Sequence, residues 1–435
     1  MKYISTKNVS LPTSLKEAVL SGMPGDGGLY LPERIPALHP QQIDALDTMS
    51  FLEIAQSMAT AFLSEDIPAG DIQEIVANSM DLDVKLTHLS EQMSILETFH
   101  GPTMAFKDFG ARFMARLMSY FIQDEDRELT ILVATSGDTG SAVASGFLSI
   151  PGIRVIILYP SGKVSPSQEK QLTTQGENIQ SLEVSGNFDD CQRLVKSAFA
   201  DEELREAHVL SSANSINIAR LIPQSFYYAY TAGQLNAKTN EIVISVPSGN
   251  FGNLTAGLIA KRMGIPISHF VASTNSNDVF PEYLKSGDFL PRPSDQTISN
   301  AMDVGDPSNI ARIRYLFDDD VALIRSEVSS WSFDDDQTRE MIGEIFKGYQ
   351  YTIDPHTSVG ILGLNKYLGS IHSSPHGVVI STAHPAKFPE SVEPVIGQKI
   401  PVPPQLAKYL EREKQATPMS TDYGDFRQFL MDTLG

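Results

Sequence analysis

Short apolar segments alternate with amphipathic stretches along most of the chain from residue 130 onward. The apolar segments are rich in Val, Ile and Leu, and the stretches between them have the apolar spacing of helices. They are ILVA (131–134), RVIILYP (154–160), IQSLEV (179–184), IVISVP (242–247), ISHFVAST (267–274) and GVVIS (377–381). Strands that alternate with helices form parallel βαβ units. We therefore predict an α/β fold with two open, mostly parallel sheets flanked by helices.

The ends of the chain differ from this pattern. GMPGDGGLYLPERIP (22–36) is rich in Gly and Pro, which force turns, and two helices are expected near 50–64 and 69–80. The chain is expected to comprise an N-terminal region (1–95), a large α/β domain (96–129 and 236–390), a smaller α/β domain (130–235) and a C-terminal helical tail (391–435).

Composition and charge narrow the function classes. With 41% apolar and 20% charged residues, the chain is typical of soluble globular proteins. Its formal net charge of −20 would repel phosphate backbones and anionic membranes, so we expect neither nucleic acid nor a membrane as partner. Cys191 is the only cysteine, which excludes an intrachain disulfide and fits a reducing compartment. The start has no signal-peptide region and no run reaches the ~18 apolar residues of a membrane helix, so a cytoplasmic location is expected.

Two Gly-containing loops follow predicted strands and precede predicted helices. TSGDTG (135–140) leads into a helix expected near Ser141, and SGNFGN (248–253) leads into one expected near Leu254. Ligands of parallel sheets bind at the carboxyl ends of the strands, where backbone N–H groups at a helix start attract an anion. The glycine spacing of SGNFGN suits one phosphate better than a pyrophosphate. Each loop is either a phosphate site or an ordinary turn.

Lys107 has unusual company for a lysine. It lies among apolar and small residues in FHGPTMAFKDFGARF (99–113). The ordinary alternative is a lysine near a helix start that extends its ammonium to water. In a water-poor pocket, however, the ammonium is disfavoured and the amine becomes a nucleophile suited to Schiff-base formation. Together with a single-phosphate loop, such a lysine suggests pyridoxal 5′-phosphate (PLP) as cofactor.

Other catalytic chemistries lack their motifs. The nine histidines show no H-E-x-x-H or Cys-His spacing, so no metal site is predicted. No G-x-S-x-G nucleophile elbow is present, and neither is a dinucleotide or P-loop motif.

Five motifs in order carry a resemblance to a known family. HGPTMAFKDFGARF, TSGDTG, PSGNFGN, NSINIAR (214–220) and STAHPAKF (381–388) closely resemble those of threonine synthase, a family of fold-type II PLP-dependent enzymes. The resemblance covers about residues 22 to 390. It implies a lyase that converts O-phospho-L-homoserine and water to L-threonine and phosphate, by γ-elimination and β-addition of water. This is the last step of threonine biosynthesis.

The resemblance also implies the cofactor site, within the large domain. Lys107 would carry the internal aldimine and then move protons at Cα and Cβ, and the Thr382 hydroxyl would meet the pyridine nitrogen. The cofactor phosphate would be held by Gly249, Asn250, Phe251, Gly252 and Asn253. Asp138 would lie along the cofactor ring, where an ionised carboxylate cannot donate to the phenolic oxygen. It is therefore expected to be protonated, turned away or a helix N-cap.

The substrate is expected to bind beside the cofactor ring, through residues of three segments. These are Thr135, Ser136 and Thr139 for the carboxylate, and Ser161, Lys163, Ser165, Asn214, Asn217 and Arg220 for the phosphate. A cation there would stabilise charge on the departing phosphate. Lys163 has an ordinary alternative, a surface charge at a loop tip. The smaller domain is expected to be mobile and to close over the cofactor.

Three alternatives stay open at this point. Another fold-type II PLP lyase, such as a threonine or serine dehydratase, would need no second phosphate site. A catalytically inactive relative would bind PLP and act through partners. A phosphate-binding protein without PLP would make Lys107 incidental. The oligomeric state expected is monomer or homodimer.

Overall fold

The structure, a computed structural model, describes residues 1–123, 125 and 127–434. The strands are β1 Lys2–Ser5, β2 Thr13–Ser14, β3 Tyr30–Pro32, β4 Lys85–His88, β5 Met93–Glu97, β6 Leu129–Ala134, β7 Ile153–Pro160, β8 Ile179–Val184, β9 Val209–Ser212, β10 Ile242–Pro247, β11 His269–Thr274, β12 Val328–Ser332, β13 His376–Ser381 and β14 Thr417–Met419. The helices are α1 Leu15–Ser21, α2 Pro40–Asp44, α3 Phe51–Leu63, α4 Ala69–Ser79, α5 Lys107–Ile122, α6 Asp138–Phe147, α7 Pro166–Thr173, α8 Phe188–Ala200, α9 Glu202–Ala207, α10 Gln224–Gln234, α11 Gly252–Arg262, α12 Val279–Ser286, α13 Ile310–Leu316, α14 Val321–Glu327, α15 Asp335–Tyr349, α16 Pro355–Leu368, α17 Pro389–Ile396, α18 Pro404–Leu410 and α19 Tyr423–Leu434. Short 3₁₀ turns lie at Ile218–Arg220, Asn300–Met302 and Pro385–Lys387.

The larger sheet has the strand order β12-β11-β10-β13-β5-β4. Its strands run parallel except β4, which is antiparallel to β5. β10 and β13 are neighbours, with Val243 opposite Gly377. Parallel neighbours end at the same edge, so the loop after β10 (248–253) and the residues after β13 (from Thr382) meet there.

The smaller sheet has the order β14-β8-β7-β6-β9, and all its pairings are parallel. β6 lies between β7 and β9, so the loop 135–140 leaves the carboxyl end of an interior strand. β14 comes from the last part of the chain and pairs with β8 at the sheet edge. The predicted class, two mostly parallel sheets flanked by helices, is confirmed.

The helices that carry the candidate loops begin earlier than the sequence pattern suggests. α6 starts at Asp138 and α11 at Gly252, each a few residues before the predicted start. Gly137 precedes α6 with φ 142°, and Phe251 precedes α11 in the left-handed region with φ 57°. The positive φ angles of Gly137 and Phe251 turn the chain sharply, so that each helix N-terminus lies directly at its loop.

The N-terminal residues form an antiparallel sheet of order β2-β1-β3, and two nearby helices, α3 and α4, match those predicted. α5 connects this region to the rest, because it buries Phe109, Phe113 and Leu117 in the central apolar cluster. Among the residues described, no helix has both the length and the apolar character needed to cross a membrane.

Candidate active site

A cavity of about 1110 Å³ is lined by loops from both larger sheets. Most of the residues predicted from the motifs line it. They are Lys107, Thr135, Ser136, Thr139, Asn214, Arg220, Gly249, Asn250, Phe251, Gly252, Asn253 and Thr382. The fold therefore gathers into one cavity side chains that are far apart in the sequence.

Lys107 is placed by backbone pairing between its own segment and the residues after β13. The Phe106 N–H donates to the Thr382 carbonyl at 2.9 Å, and the His384 N–H donates to the Met104 carbonyl at 3.1 Å. Met104 adopts φ 57°, which turns the chain into α5. As a result, Lys107 is the first residue of α5 and lies beside Thr382 on the cavity wall.

The electrostatic surroundings favour a reactive amine at Lys107. Burial lowers the pKa of its ammonium to about 8, the charge of Asp138 opposes this shift, and the cations Lys387 and Arg220 reinforce it. A lysine with this pKa has far more free amine near neutral pH than an ordinary lysine. That is the form needed to attack an aldehyde.

The backbone of residues 249–253 is shaped to bind an anion. A Cβ on Gly249 would lie 2.6 Å from the Cα of Met302, so only glycine fits where these two backbones meet. Among the described residues, none accepts a hydrogen bond from the backbone N–H groups of residues 249–253. The loop also ends at the N-terminus of α11, where the helix dipole attracts negative charge.

Two asparagine side chains of this loop are already engaged. Asn250 donates to the Ser215 hydroxyl and accepts from the Ser308 N–H, both at 2.6 Å. Asn253 Oδ1 accepts from Tyr227 and Tyr228, whereas its buried Nδ2 has no partner among the described residues. The backbone N–H groups and this donor suit a phosphate, so the loop fits the phosphate end of PLP.

The loop 135–140 is held together by its first side chain. Thr135 Oγ1 accepts from the Gly137 N–H at 3.0 Å and from the Gly140 N–H at 2.9 Å. This leaves Ser136 and Thr139, which also line the cavity, as the side chains of the loop most suited to contact a ligand. Both are close to the N-terminus of α6, which favours a carboxylate.

Asp138 faces the buried Lys387, a partner that the sequence motifs do not indicate. Its Oδ1 lies 2.6 Å from the Lys387 ammonium and accepts from Gln168 Nε2 at 2.9 Å. Burial alone would raise the pKa of the Asp138 carboxyl, but the charges of Lys387 and Lys107 hold it well below its usual range. Of the three alternatives for Asp138, the geometry matches an ionised carboxylate turned to another partner, since it makes no side-chain cap on α6.

Arg220 supplies a second site for negative charge in the cavity. It is only 2% exposed; Nη1 donates to the Ala213 carbonyl at 2.6 Å, and Nε has no partner among the described residues. Burial lowers the pKa of its guanidinium to about 10, although Asp108 opposes the shift. Asn214 lies near it in the chain, with Nδ2 bonded to the Ala134 carbonyl at 2.9 Å.

Four predicted substrate contacts are not among the described residues that line the cavity. Ser161 is exposed and donates to Glu183 at 2.8 Å, and Lys163 is exposed on the same loop. Ser165 caps α7. Asn217 is buried and donates to the Val19 carbonyl at 2.9 Å, so its amide stabilises the packing of α1. The side chains of Ser161, Ser165 and Asn217 are thus engaged with other parts of the protein, and that of Lys163 faces solvent.

His356 lines the cavity without having been predicted. Its Nδ1 lies 2.6 Å from Asp354 Oδ2, and its Nε2 accepts from the Ala301 N–H at 3.2 Å, which fixes the tautomer. No recognised motif surrounds it. Lys387, by contrast, belongs to the segment STAHPAKF (381–388). Its position between Ala386 and Phe388 was an available sign that this lysine is buried.

The class of the protein follows from this arrangement and from comparison with known families. A family model described as "Pyridoxal-phosphate dependent enzyme" matches residues 85–382, which include Lys107 and both glycine loops. The chain is a fold-type II PLP-dependent enzyme, and PLP is its cofactor.

Narrower comparisons give the family within this class. Models described as "Threonine synthase N terminus" and "Threonine synthase, C-terminal" match residues 2–80 and 357–430. Threonine synthase of Escherichia coli is 40% identical over 433 residues, 99% of this chain and 100% of that protein. Threonine synthase of Haemophilus influenzae is 42% identical over 432 residues, with 99% and 100% covered. The crystal structure of PLP-bound threonine synthase from Brucella melitensis has a TM-score of 0.93 at 35% identity, with 99% of each chain covered. The chain belongs to the threonine synthase family, and the resemblance noted in its motifs is confirmed.

Proposed function

We propose that this protein converts O-phospho-L-homoserine and water to L-threonine and phosphate. The observation that supports the proposal is that the loop 249–253 and the buried guanidinium of Arg220 line the same cavity. The backbone of residues 249–253 suits the cofactor phosphate, and the buried guanidinium of Arg220 with Asn214 suits the phosphate ester of the substrate. A dehydratase would need only the first position.

The cofactor would be held by three parts of the chain. The Lys107 amine would bond the cofactor aldehyde, the N–H groups of residues 249–253 would hold its phosphate, and the Thr382 hydroxyl would contact the pyridine nitrogen. All of these residues line the cavity. When bound, PLP supplies the electron sink for bond breaking at the amino acid. Lys107, released on substrate binding, would then move protons at the substrate Cα and Cβ.

The substrate would be oriented by its two acidic ends. Ser136 and Thr139, at the N-terminus of α6, would bind the carboxylate, and Thr135 would keep their loop in shape. Arg220 would neutralise charge on the phosphate as it leaves, which lowers the barrier to departure. Asp138 would act through its negative charge on Lys107.

Ser161, Lys163 and Ser165 would reach the substrate only if their loop moved towards the cavity. Such a movement belongs to the proposed closure of residues 130–235 over the cofactor, which would keep water away until it is needed. Crystal structures with and without a non-reactive substrate analogue test this step. An identical separation of the two sheets in both would refute closure.

The activity is tested by supplying purified protein and PLP with O-phospho-L-homoserine and measuring threonine and free phosphate. We expect equal amounts of both, and neither from Lys107→Ala. Arg220→Leu should raise KM and lower kcat/KM at least ~100-fold, because the departing charge loses its partner. Arg339→Leu is the matched control, because it removes a surface arginine paired with Asp335 and Asp336 outside the cavity, and should change kcat/KM less than about threefold.

Other products would contradict the proposal. Release of a keto acid without phosphate would identify a dehydratase. PLP bound at Lys107 with no turnover of the phosphate ester would mean that the second anion position serves another substrate.

A further inference from the structure

Lys387 is buried in the protein interior, next to the active site, and its ammonium contacts two oxygen atoms. It is 0% exposed, lies 2.6 Å from Asp138 Oδ1 and donates to the Thr103 carbonyl at 2.9 Å. Thr103 in turn donates to the Asp108 carboxylate through its N–H and hydroxyl, at 2.9 and 2.7 Å. The ammonium therefore joins three segments that surround Lys107, namely 103–108, 138 and 387.

Three charged side chains act on the Lys107 ammonium. Asp138 faces it from α6, Lys387 from the turn after β13 and Arg220 from the 3₁₀ turn before α10. Asp108, next to Lys107 in α5, is turned to Thr103 instead. Asp138 is thus the carboxylate that could form an ion pair with Lys107. Such a pair would hold Lys107 as an ammonium, which cannot attack an aldehyde.

We propose that Lys387 is a positioning residue that occupies the Asp138 carboxylate and so leaves the Lys107 amine free to bond the cofactor. The two opposite charges form a nearly neutral pair beside Lys107, held in place by Gln168 and Thr103. The inference rests on the proposed role of Lys107 as the lysine that binds PLP. It adds a function for Lys387 and for the carboxylate at position 138.

The two members of the pair have opposite effects on Lys107, which makes the inference testable. Removal of the Lys387 charge leaves Asp138 free to stabilise the Lys107 ammonium, so more alkaline conditions are needed for the free amine. Removal of the Asp138 charge leaves Lys387 to repel that ammonium, so the free amine forms at lower pH. A pair with a merely structural role would not produce shifts of opposite sign.

The experiment compares the pH dependence of PLP incorporation in four full-length proteins. These are wild type, Lys387→Met, Asp138→Asn and the double variant, each stripped of cofactor and mixed with PLP at a series of pH values. Covalent attachment at Lys107 is fixed with borohydride and measured by mass. Ionisation of the phosphate of PLP is the same for all four proteins, so differences between their midpoints report on Lys107.

We expect the midpoint of Lys387→Met to lie about one to two pH units above wild type, and that of Asp138→Asn below it. The double variant should fall between the two single variants. Lys285→Met is the matched control, because it removes an exposed lysine paired with Glu282 on α12, outside the cavity, and should keep the wild-type midpoint. If one single variant does not fold, the direction in which the midpoint of the other shifts still tests the inference.

Two results would overturn the inference, and they are distinguishable. PLP incorporated at Lys107 with single-variant midpoints that are unchanged, or that move the same way, would show that Lys387 does not act on Lys107 through Asp138. Absence of PLP at Lys107 in the wild type would overturn both this inference and the proposed function.

Discussion

Replacement of Arg312 by Met is expected to destabilise the protein markedly, because this arginine joins three parts of the structure from a fully buried position. Its side chain is 0% exposed. Nε donates to the Tyr30 carbonyl at 2.9 Å, and Nη1 donates to Ser215 O at 3.2 Å and Asn309 Oδ1 at 2.7 Å. Nη2 donates to the carbonyl of Ile216 at 2.5 Å.

The expected magnitude follows from the groups that lose their partners. Methionine would fill most of the volume but leave three acceptors without their donor, each costing about 1–3 kcal/mol. These are the carbonyls of Tyr30 and Ile216 and the side-chain oxygen of Asn309. Relief from burying a guanidinium offsets part of this, so we expect the free energy of unfolding to fall by about 3–5 kcal/mol. At about 2.1 cal/mol/K of unfolding entropy per residue, a chain of 435 residues should lose about 3–5 °C in Tm.

Thermal unfolding followed by circular dichroism measures this loss. Arg314→Met is the matched control, because it lies on the same helix but pairs with Asp319 at the surface, with 40% of its side chain exposed. Such a surface pair contributes at most about 1 kcal/mol. Equal Tm values for the two variants would refute the view that the buried carbonyl contacts of Arg312 stabilise the fold.

Three further predictions concern the cofactor loop and the core. Gly249→Ala should weaken PLP binding at least ~10-fold in equilibrium titrations, because its Cβ would meet the Met302 backbone, whereas Gly348→Ala, in open space, should leave affinity unchanged. Asn217→Ala should lower stability in urea unfolding by about 1–3 kcal/mol without a change in KM, since Asn217 does not line the cavity and its amide donates to the carbonyls of Val19 and Ser212; a raised KM would restore its predicted substrate contact. Phe426→Ala should lower stability by about 3–5 kcal/mol, and Tyr349→Ala, 47% exposed, by less than about 1 kcal/mol; similar costs would argue against close packing of α19.

Most of the two parallel sheets could be predicted, because their strands are fully buried and appear as continuous apolar runs. β6, β7, β8, β10, β11 and β13 lie where these runs are. β14 was not apparent, since a three-residue edge strand that contains Pro418 has neither an apolar run nor alternation. The antiparallel sheet of β1, β2 and β3 was not predicted either, because its strands have only two to four residues.

The motifs predicted the residues whose backbone shapes the site better than those whose side chains act in it. Gly249 was identifiable, because a position where two backbones approach closely requires glycine. The partner of Asp138 was not, because Lys387 is 249 positions away and becomes a neighbour only when β13 joins its sheet. Likewise, nothing in the sequence distinguishes Arg220, which faces the cavity, from Lys163, which faces solvent.

Two strands that come late in the chain, β13 and β14, complete sheets whose other strands come earlier. β13 lies between β10 and β5, and β14 covers the edge of β8, while Phe426 and Leu430 complete the apolar cluster around Cys191. A chain terminated before β13 would therefore expose unpaired edges of β5, β8 and β10 and lack Thr382 and Lys387. Such a chain has no complete active site, and its unpaired strand edges favour aggregation rather than partial activity.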